Sequence, residues 1–390
     1  MIINLNNDLC DTIIDEIPLE EFHNRVQAVR NEMAKKNYEA MIIFSDHNRM
    51  VNVRWISNYR SFDGIFPSPA LVFLPLKGEP ILFVGSDLIP YGKDETWIKD
   101  VRGAREEFGQ VLSEFEKKEK PEKIGIAGYS YMTLEFWDII QSSIKNALLE
   151  KSNIIDHLKA IKSENEIRFL KVASRLADRA LEDLRDNLKE GMTEREAVRI
   201  CLSSMFLHGA DCQAFDMMVQ SGENSAKYFL ARPRNKIIKK GELLLVDVGC
   251  RYHNYASDMA RGIAFGKVNK EQERLLKVTY EAWKAGLQGL KPGLPSTEAD
   301  KFINPILEDA GYLHAHGEGR SCGHGTGMDP EEEIPAMGSK DIILAENMSV
   351  SYEITVQIPG IGGSRVEDVV IIRKDGPEFL THFPHECFWD

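Results

Sequence analysis

Apolar residues recur at helical spacing over 19–36, where Phe22, Val26, Val29 and Met33 share one face. Four short apolar runs follow, at 39–45 (EAMIIFS), 70–76 (ALVFLPL), 80–85 (PILFVG) and 123–128 (KIGIAG). Each is bounded by polar or turn residues, as a buried strand is, and Lys77-Gly78-Glu79 reads as the turn joining the second and third. Strands interleaved with helices predict an α/β domain over residues 1–155.

A different pattern begins near residue 156. Ser163-Glu164-Asn165-Glu166 is a capping box and opens a long helix with Ile167, Leu170, Ala173, Leu176, Ala177, Ala180, Leu181 and Leu184 inward. Thr193-Glu194-Arg195-Glu196 caps a second helix. A third is expected over 270–290, and a fourth over 297–310 with Pro305 bending or interrupting it. These four helices form a repeat. Leu188-Lys189-Glu190-Gly191-Met192 returns as Leu290-Lys291-Pro292-Gly293-Leu294, and each copy runs on through Glu-Ala to a terminal glycine, Gly209 or Gly311. A hairpin follows each helix pair: 242–250 (ELLLVDVGC) returning over 255–265, and 347–358 (NMSVSYEITVQI) returning over 364–373 after the turn PGIGG. The second region, 156–390, is therefore expected to be an α+β domain with an internal pseudo-twofold duplication.

The carboxylates sharpen this picture. Asp247 and Asp258 sit on the first hairpin, Glu353 and Glu367 on the second. Pseudo-twofold packing brings all four together, at a prohibitive cost unless they take up protons or hold cations. Oxygen-rich clusters suit divalent ions, and bridging carboxylates hold two of them. His324, flanked by glycines in GHGTG, supplies a nitrogen ligand.

Composition narrows the partners. The chain has 390 residues and a formal charge of −13, which argues against nucleic acid and against an anionic membrane surface. Six scattered cysteines without a CxxC pair point to a reducing compartment, hence the cytoplasm. The opening stretch does not read as a signal peptide, and no apolar run approaches the ~18 residues of a membrane span.

These motifs resemble the pita-bread metallopeptidase superfamily, in its Xaa-Pro peptidase, prolidase and creatinase branch. VDVG (Asp247), SDMAR (Asp258), GHGTG (His324), SYEITV (Glu353) and SRVED (Glu367) match its five ligands in type, order and spacing; IKSENEI and LTHFP resemble the segments that open and close its catalytic domain. The resemblance implies a creatinase-like α/β N-terminal domain, a pita-bread catalytic domain, two divalent metal ions (manganese, cobalt, zinc or iron) and a homodimer. It makes Asp258 and Glu367 the bridging ligands and Glu353 both ligand and catalytic proton carrier. The implied reaction is hydrolysis of an Xaa-Pro bond in a dipeptide or at a peptide N-terminus.

Two histidines of the peptidase pattern are absent. Phe229 stands where one follows SGxNxAxxH, and Glu331 where a second follows GHGxGxxxH. Phenylalanine donates no hydrogen bond and glutamate carries the opposite charge. His314 and His316 are candidates to compensate, and Arg365, two residues before Glu367, is a further candidate substrate contact or a partner for a ligand carboxylate. Otherwise Glu331–Glu333 reads as a solvated loop. The missing histidines leave two alternatives: a pita-bread enzyme acting on a small molecule, a C–N hydrolase or lyase like creatinase, ectoine hydrolase or sulfonium-compound lyase, and a binding protein without catalysis.

Overall fold

A computed structural model describes residues 16–47, 49–61, 68–227, 231–316, 322–338, 342–385 and 388–390. The chain forms two compact units, Ile17–Lys159 and Ala160–Asp390. Among the described residues no helix is long and apolar enough to cross a membrane.

The first unit is built on β1 (Ala40–Ser45), β2 (Ala70–Pro75), β3 (Ile81–Val84), β4 (Asp100–Gly103), β5 (Lys123–Ala127) and β6 (Leu148–Lys151), in the sheet order β4-β3-β2-β1-β5-β6. The sheet is mixed: β1 runs parallel to β5 but antiparallel to β2. Helices α1 (Leu19–Lys36), α2 (Val51–Ser57), α3 (Ile89–Glu95), α4 (Glu106–Glu119), α5 (Leu134–Ser143) and α6 (Ile154–Ala160) accompany it. Ile42, Phe44, Leu71 and Ile124 of the sheet are buried against Phe108 and Phe136 of α4 and α5. The four apolar runs became β1, β2, β3 and β5, as their patterning predicts. The shorter, half-polar β4 and β6 carry no such pattern.

In the second unit the helices α7 (Glu164–Asn187) and α8 (Glu194–Leu207) begin at the expected caps, Ser163 and Thr193, each with both capping-box hydrogen bonds formed. The strands β7 (Cys212–Gln213) and β8 (Met218–Ser221), the short helix α9 (Glu223–Lys227), and β9 (Glu242–Val248), β10 (Cys250–Tyr252), β11 (Tyr255–Ala256) and β12 (Met259–Phe265) complete the first half. The second half contains α10 (Lys270–Gly286), α11 (Asp300–Ala310), α12 (Leu313–His316), β13 (Gly323–Gly325), β14 (Glu332–Ala336), β15 (Ser349–Ile358), β16 (Gly362–Arg373), β17 (Gly376–Phe379) and β18 (Phe388–Trp389). One large sheet runs β14-β13-β15-β16-β12-β9-β8, joining strands of both halves. Its helical side carries two cores. Val219, Leu244, Val246 and Val248 pack with α7 and α8, and Val350, Ile354, Val366 and Val370 with α10 and α11.

Several expectations need correction. The helix expected over 270–290 ends at Gly286, where a Cβ would run into the Tyr352 hydroxyl, and a short 3₁₀ turn follows. Pro305 neither breaks nor ends its helix, although it removes one backbone donor. The strand expected over 255–265 is two strands. Ser257 Oγ accepts from the Cys250 N–H (3.0 Å) while the Ser257 N–H donates to the Cys250 carbonyl oxygen (2.9 Å), so a side chain replaces one backbone partner and Ser257-Asp258 falls between β11 and β12. Finally, Glu331–Glu333 is not a wholly solvated loop. Glu332 opens β14 and is buried, with Lys162 Nζ 2.7 Å from its carboxylate.

Candidate metal centre

The pairing register lays the acidic residues out in one row. Asp247 on β9 lies opposite Ala260 on β12, Ala260 opposite Glu367 on β16, and Glu367 opposite Glu353 on β15. Directly opposed residues of an antiparallel sheet point to the same face. Asp258 is two residues before Ala260, and His324 lies opposite Ser351, two residues before Glu353. Parity therefore puts Asp247, Asp258, His324, Glu353 and Glu367 on one face, away from the apolar side chains under the helices. Glycine permits the approach of β13: a Cβ at Gly323 would collide with the Ser351 carbonyl oxygen, and one at Gly325 with that of Ile334.

Asp258, His324 and Glu367 each present a donor atom, all within 4.8 Å of one another. His324 Nε2 is 3.7 Å from Asp258 Oδ2 and 3.8 Å from Glu367 Oε1. Both are too long for hydrogen bonds, and both suit donors sharing an ion at about 2.0–2.2 Å from each. Nδ1 of His324 lies 3.1 Å from the Gly325 carbonyl oxygen, which places the ring proton there and leaves the Nε2 lone pair facing the acids.

Compensation within the protein is incomplete. Arg365 pairs through Nη1 with Asp247 Oδ2 and through Nε with Glu353 Oε2 at 3.2 Å. Its Nε also donates to Thr355 Oγ1 (2.7 Å). Ser351 Oγ donates to Glu367 Oε1 (2.8 Å). Yet Asp247 Oδ1 and Glu367 Oε2 are buried without a hydrogen-bond partner. Burial, then Glu367 and Asp247, drives the Asp258 pKa well above the usual carboxylate range. Burial, then Glu353 and Asp247, does the same to Glu367. Asp247 rises less, to about 6, because Arg365 opposes its burial. Arg365 itself is held charged: burial works against it, but Glu353 and Asp247 outweigh that. One guanidinium among four carboxylates, with orphaned oxygens and a free imidazole nitrogen, is a donor set that fits divalent metal.

Phe229 falls outside the described residues. Glu331 is exposed, whereas its neighbour Glu332 is buried against Lys162. His314 is exposed; His316 is buried, with Nδ1 2.8 Å from the Thr355 carbonyl oxygen. Ser351 and Thr355, which hold Glu367 and Arg365, were missed. Their signal is period-two spacing with Glu353 along SVSYEITV.

Comparison with known proteins places this geometry. Residues 168–374 match the model of metallopeptidase family M24, and residues 25–161 that of the creatinase/prolidase N-terminal domain. An uncharacterised peptidase of Staphylococcus aureus (strain bovine RF122 / ET3-1) is 34% identical over 231 residues, 59% of this chain; the chain spans 64% of that relative's length. An Xaa-Pro dipeptidase of Pyrococcus horikoshii is 30% identical over 322 residues, 80% of this chain and 89% of the relative. The solved structure of an Xaa-Pro dipeptidase from Bacillus anthracis superposes with a TM-score of 0.83 at 25% identity, covering 94% of this chain and 99% of that one. With the creatinase/prolidase domain ahead of it and five residues of metal-ligating type on one face of its sheet, the chain belongs to metallopeptidase family M24.

Proposed function

We propose that this protein is a dinuclear metal-dependent hydrolase that cleaves Xaa-Pro bonds in dipeptides or at peptide N-termini. The observation that carries the reading is the register row Asp247–Ala260–Glu367–Glu353, flanked by Asp258 and His324. The Xaa-Pro dipeptidase relatives supply the substrate class. The five residues would hold two divalent ions, with manganese, cobalt, zinc and iron all compatible with four carboxylates and one imidazole. Bound there, such ions would polarise a carbonyl and lower the pKa of a water to about 7.

The remaining chemistry belongs to the chain. Arg365 and Thr355 both engage Glu353 Oε2, the hydroxyl at 3.3 Å, which fixes the carboxylate and leaves Oε1 to work. Glu353 takes a proton from the attacking water and delivers it to the leaving nitrogen. Arg365 keeps Asp247 ionised beside it. His324 presents Nε2 because Gly325 holds the proton on Nδ1. The enzyme works in the cytoplasm as a homodimer: Cys201, Cys250 and Cys322 are free thiols, as a reducing compartment keeps them, and the family resemblance implies the dimer. Light scattering on the purified protein checks the dimer.

Metal-stripped protein reloaded with manganese, cobalt or zinc and assayed on Xaa-Pro dipeptides tests the reaction. Hydrolysis should return with metal and be lost in Glu353→Gln. Turnover indifferent to both overturns it. A second reading draws on one observation: the exposed anion Glu331 stands where the family's second histidine is expected. On that reading the same centre acts on a small molecule as a C–N hydrolase or lyase. Amidines, cyclic amides and sulfonium compounds assayed beside the dipeptides separate the two.

A further inference from the structure

We propose that Gln220 is a specificity-determining residue of this centre, accepting a hydrogen bond from an ammonium or N–H group of the substrate. The inference rests on the acid face being the substrate site, and it names a contact on the β8 side of that face. Met218 lies opposite Asp247 and Gln220 opposite Leu245. Val219 between them packs into the apolar core with Leu244 and Val246. Parity therefore turns Met218 and Gln220 the other way, onto the face that carries Asp247.

The amide of Gln220 reaches back along β8 to Met218. Its Nε2 lies 4.0 Å from the Met218 sulfur, beside the Asp247 row. A thioether sulfur accepts and does not donate, so this contact orients the amide with its NH₂ toward Met218 and its carbonyl oxygen away. That oxygen, Oε1, is buried and has no hydrogen-bond partner among the described residues. Gln220 is 1% exposed and Asp247 and Glu367, which also carry orphaned oxygens, are 2%. Burial thus does not set it apart from the cluster. A buried amide oxygen needs a partner, and Gln220, beyond Met218 on β8, lies outside the clustered donors Asp258, His324 and Glu367, which leaves its oxygen for a substrate group. A substrate amine does: it brings hydrogen-bond donors and a positive charge toward an acidic face.

The test compares binding of alaninamide with propionamide, which lacks the amine, by titration calorimetry on the manganese-loaded protein. Wild-type protein should favour alaninamide by roughly tenfold, about 1.4 kcal/mol. Gln220→Leu, of similar size but without an acceptor, should shrink the preference to within about twofold; Gln220→Glu should restore it. Metal content is measured in each. Where Gln220→Leu fails to load metal, Gln220→Glu decides alone: loss of the preference in that variant overturns the proposal. A preference that survives Gln220→Leu also overturns it, as does wild-type protein that binds neither probe or binds both alike. Xaa-Pro hydrolysis, assayed separately, keeps the two readings apart. A Gln220-dependent amine preference without hydrolysis sinks the peptidase and leaves this contact standing.

Discussion

Glu367 and Asp368 are neighbours on one strand, both buried, and their surroundings treat them in opposite ways. Glu367 faces the acids, keeps an orphaned oxygen and has its pKa driven far up. Asp368 faces the other side. Burial would raise it too, but Arg261 and His385 pull it below the usual range. Arg261 Nη2 donates to Asp368 Oδ1 (2.8 Å), Thr381 Oγ1 to the same oxygen (2.7 Å), and His385 Nε2 lies 2.9 Å from Oδ2. Arg261 also donates to the carbonyl oxygens of Pro384, Ala260, Glu367 and Phe383. One side of the strand is a finished clamp on the C-terminal segment, while the other keeps buried carboxylate oxygens without hydrogen-bond partners. Buried charge alone therefore does not mark a site; incomplete compensation does.

The largest effects should divide along that line. Glu353→Gln keeps size and hydrogen bonding and removes the titrating oxygen, so kcat should fall by about 10²–10⁴-fold with little change in denaturation midpoint. Arg261→Met does the reverse. It strands Asp368 without its cation and should cost about 3–5 kcal/mol of stability, read by denaturant unfolding. Glu332→Gln, which strands Lys162, belongs with Arg261→Met. If Glu353→Gln destabilised the protein as much as Arg261→Met, the contrast between the faces would fail.

Metal removal sharpens the contrast through pH. Asp247, Asp258 and Glu367 bind protons more tightly folded than unfolded, so in metal-free protein their contribution is full below their ordinary values. It is lost as pH rises through the folded ones, about 6 for Asp247 and well above the ordinary carboxylate range for Asp258 and Glu367. Metal-free protein should therefore gain stability, on the order of 1–3 kcal/mol, as pH falls from about 7.5 to about 5. Metal-loaded protein should lose it over the same span, because protons compete with the ions for the same oxygens. Asp368, shifted the other way, contributes stability that is present above its ordinary 3.8 and lost only below it, so it leaves this window flat. Thermal melts across the pH range with and without chelator measure both slopes.

Much of this was written in local pattern. LLLVDVG is a buried strand with one carboxylate, and the two hairpins carry their acids at matching places, so the converging cluster follows from the repeat. Other features depend on partners far along the chain. Nothing near Arg261 announces Asp368, and Lys162 meets Glu332 across 170 positions. The break at Ser257-Asp258 was hidden because apolar residues continue on both sides of it, while Ser257 bonds back to Cys250. Glu332 was masked by its exposed neighbours, although Ile334 two residues on already hinted at a buried alternate face.

That run of glutamates offers the finest cut. Glu331 is exposed and Glu332 buried, so the same chemical change should give unlike results one residue apart. Glu331→Gln removes a solvated charge and should alter stability by no more than about 0.5 kcal/mol. Its effect on function separates two meanings of that position. If Glu331 only faces water, KM for every substrate should stay within about twofold of wild type, the scale of a screened surface charge. If its charge reaches a cationic substrate, KM should rise selectively for that substrate, and the rise should shrink as salt is added. A salt-insensitive change in kcat fits neither case, and would mean that the loop between His324 and β14 moves His324 itself.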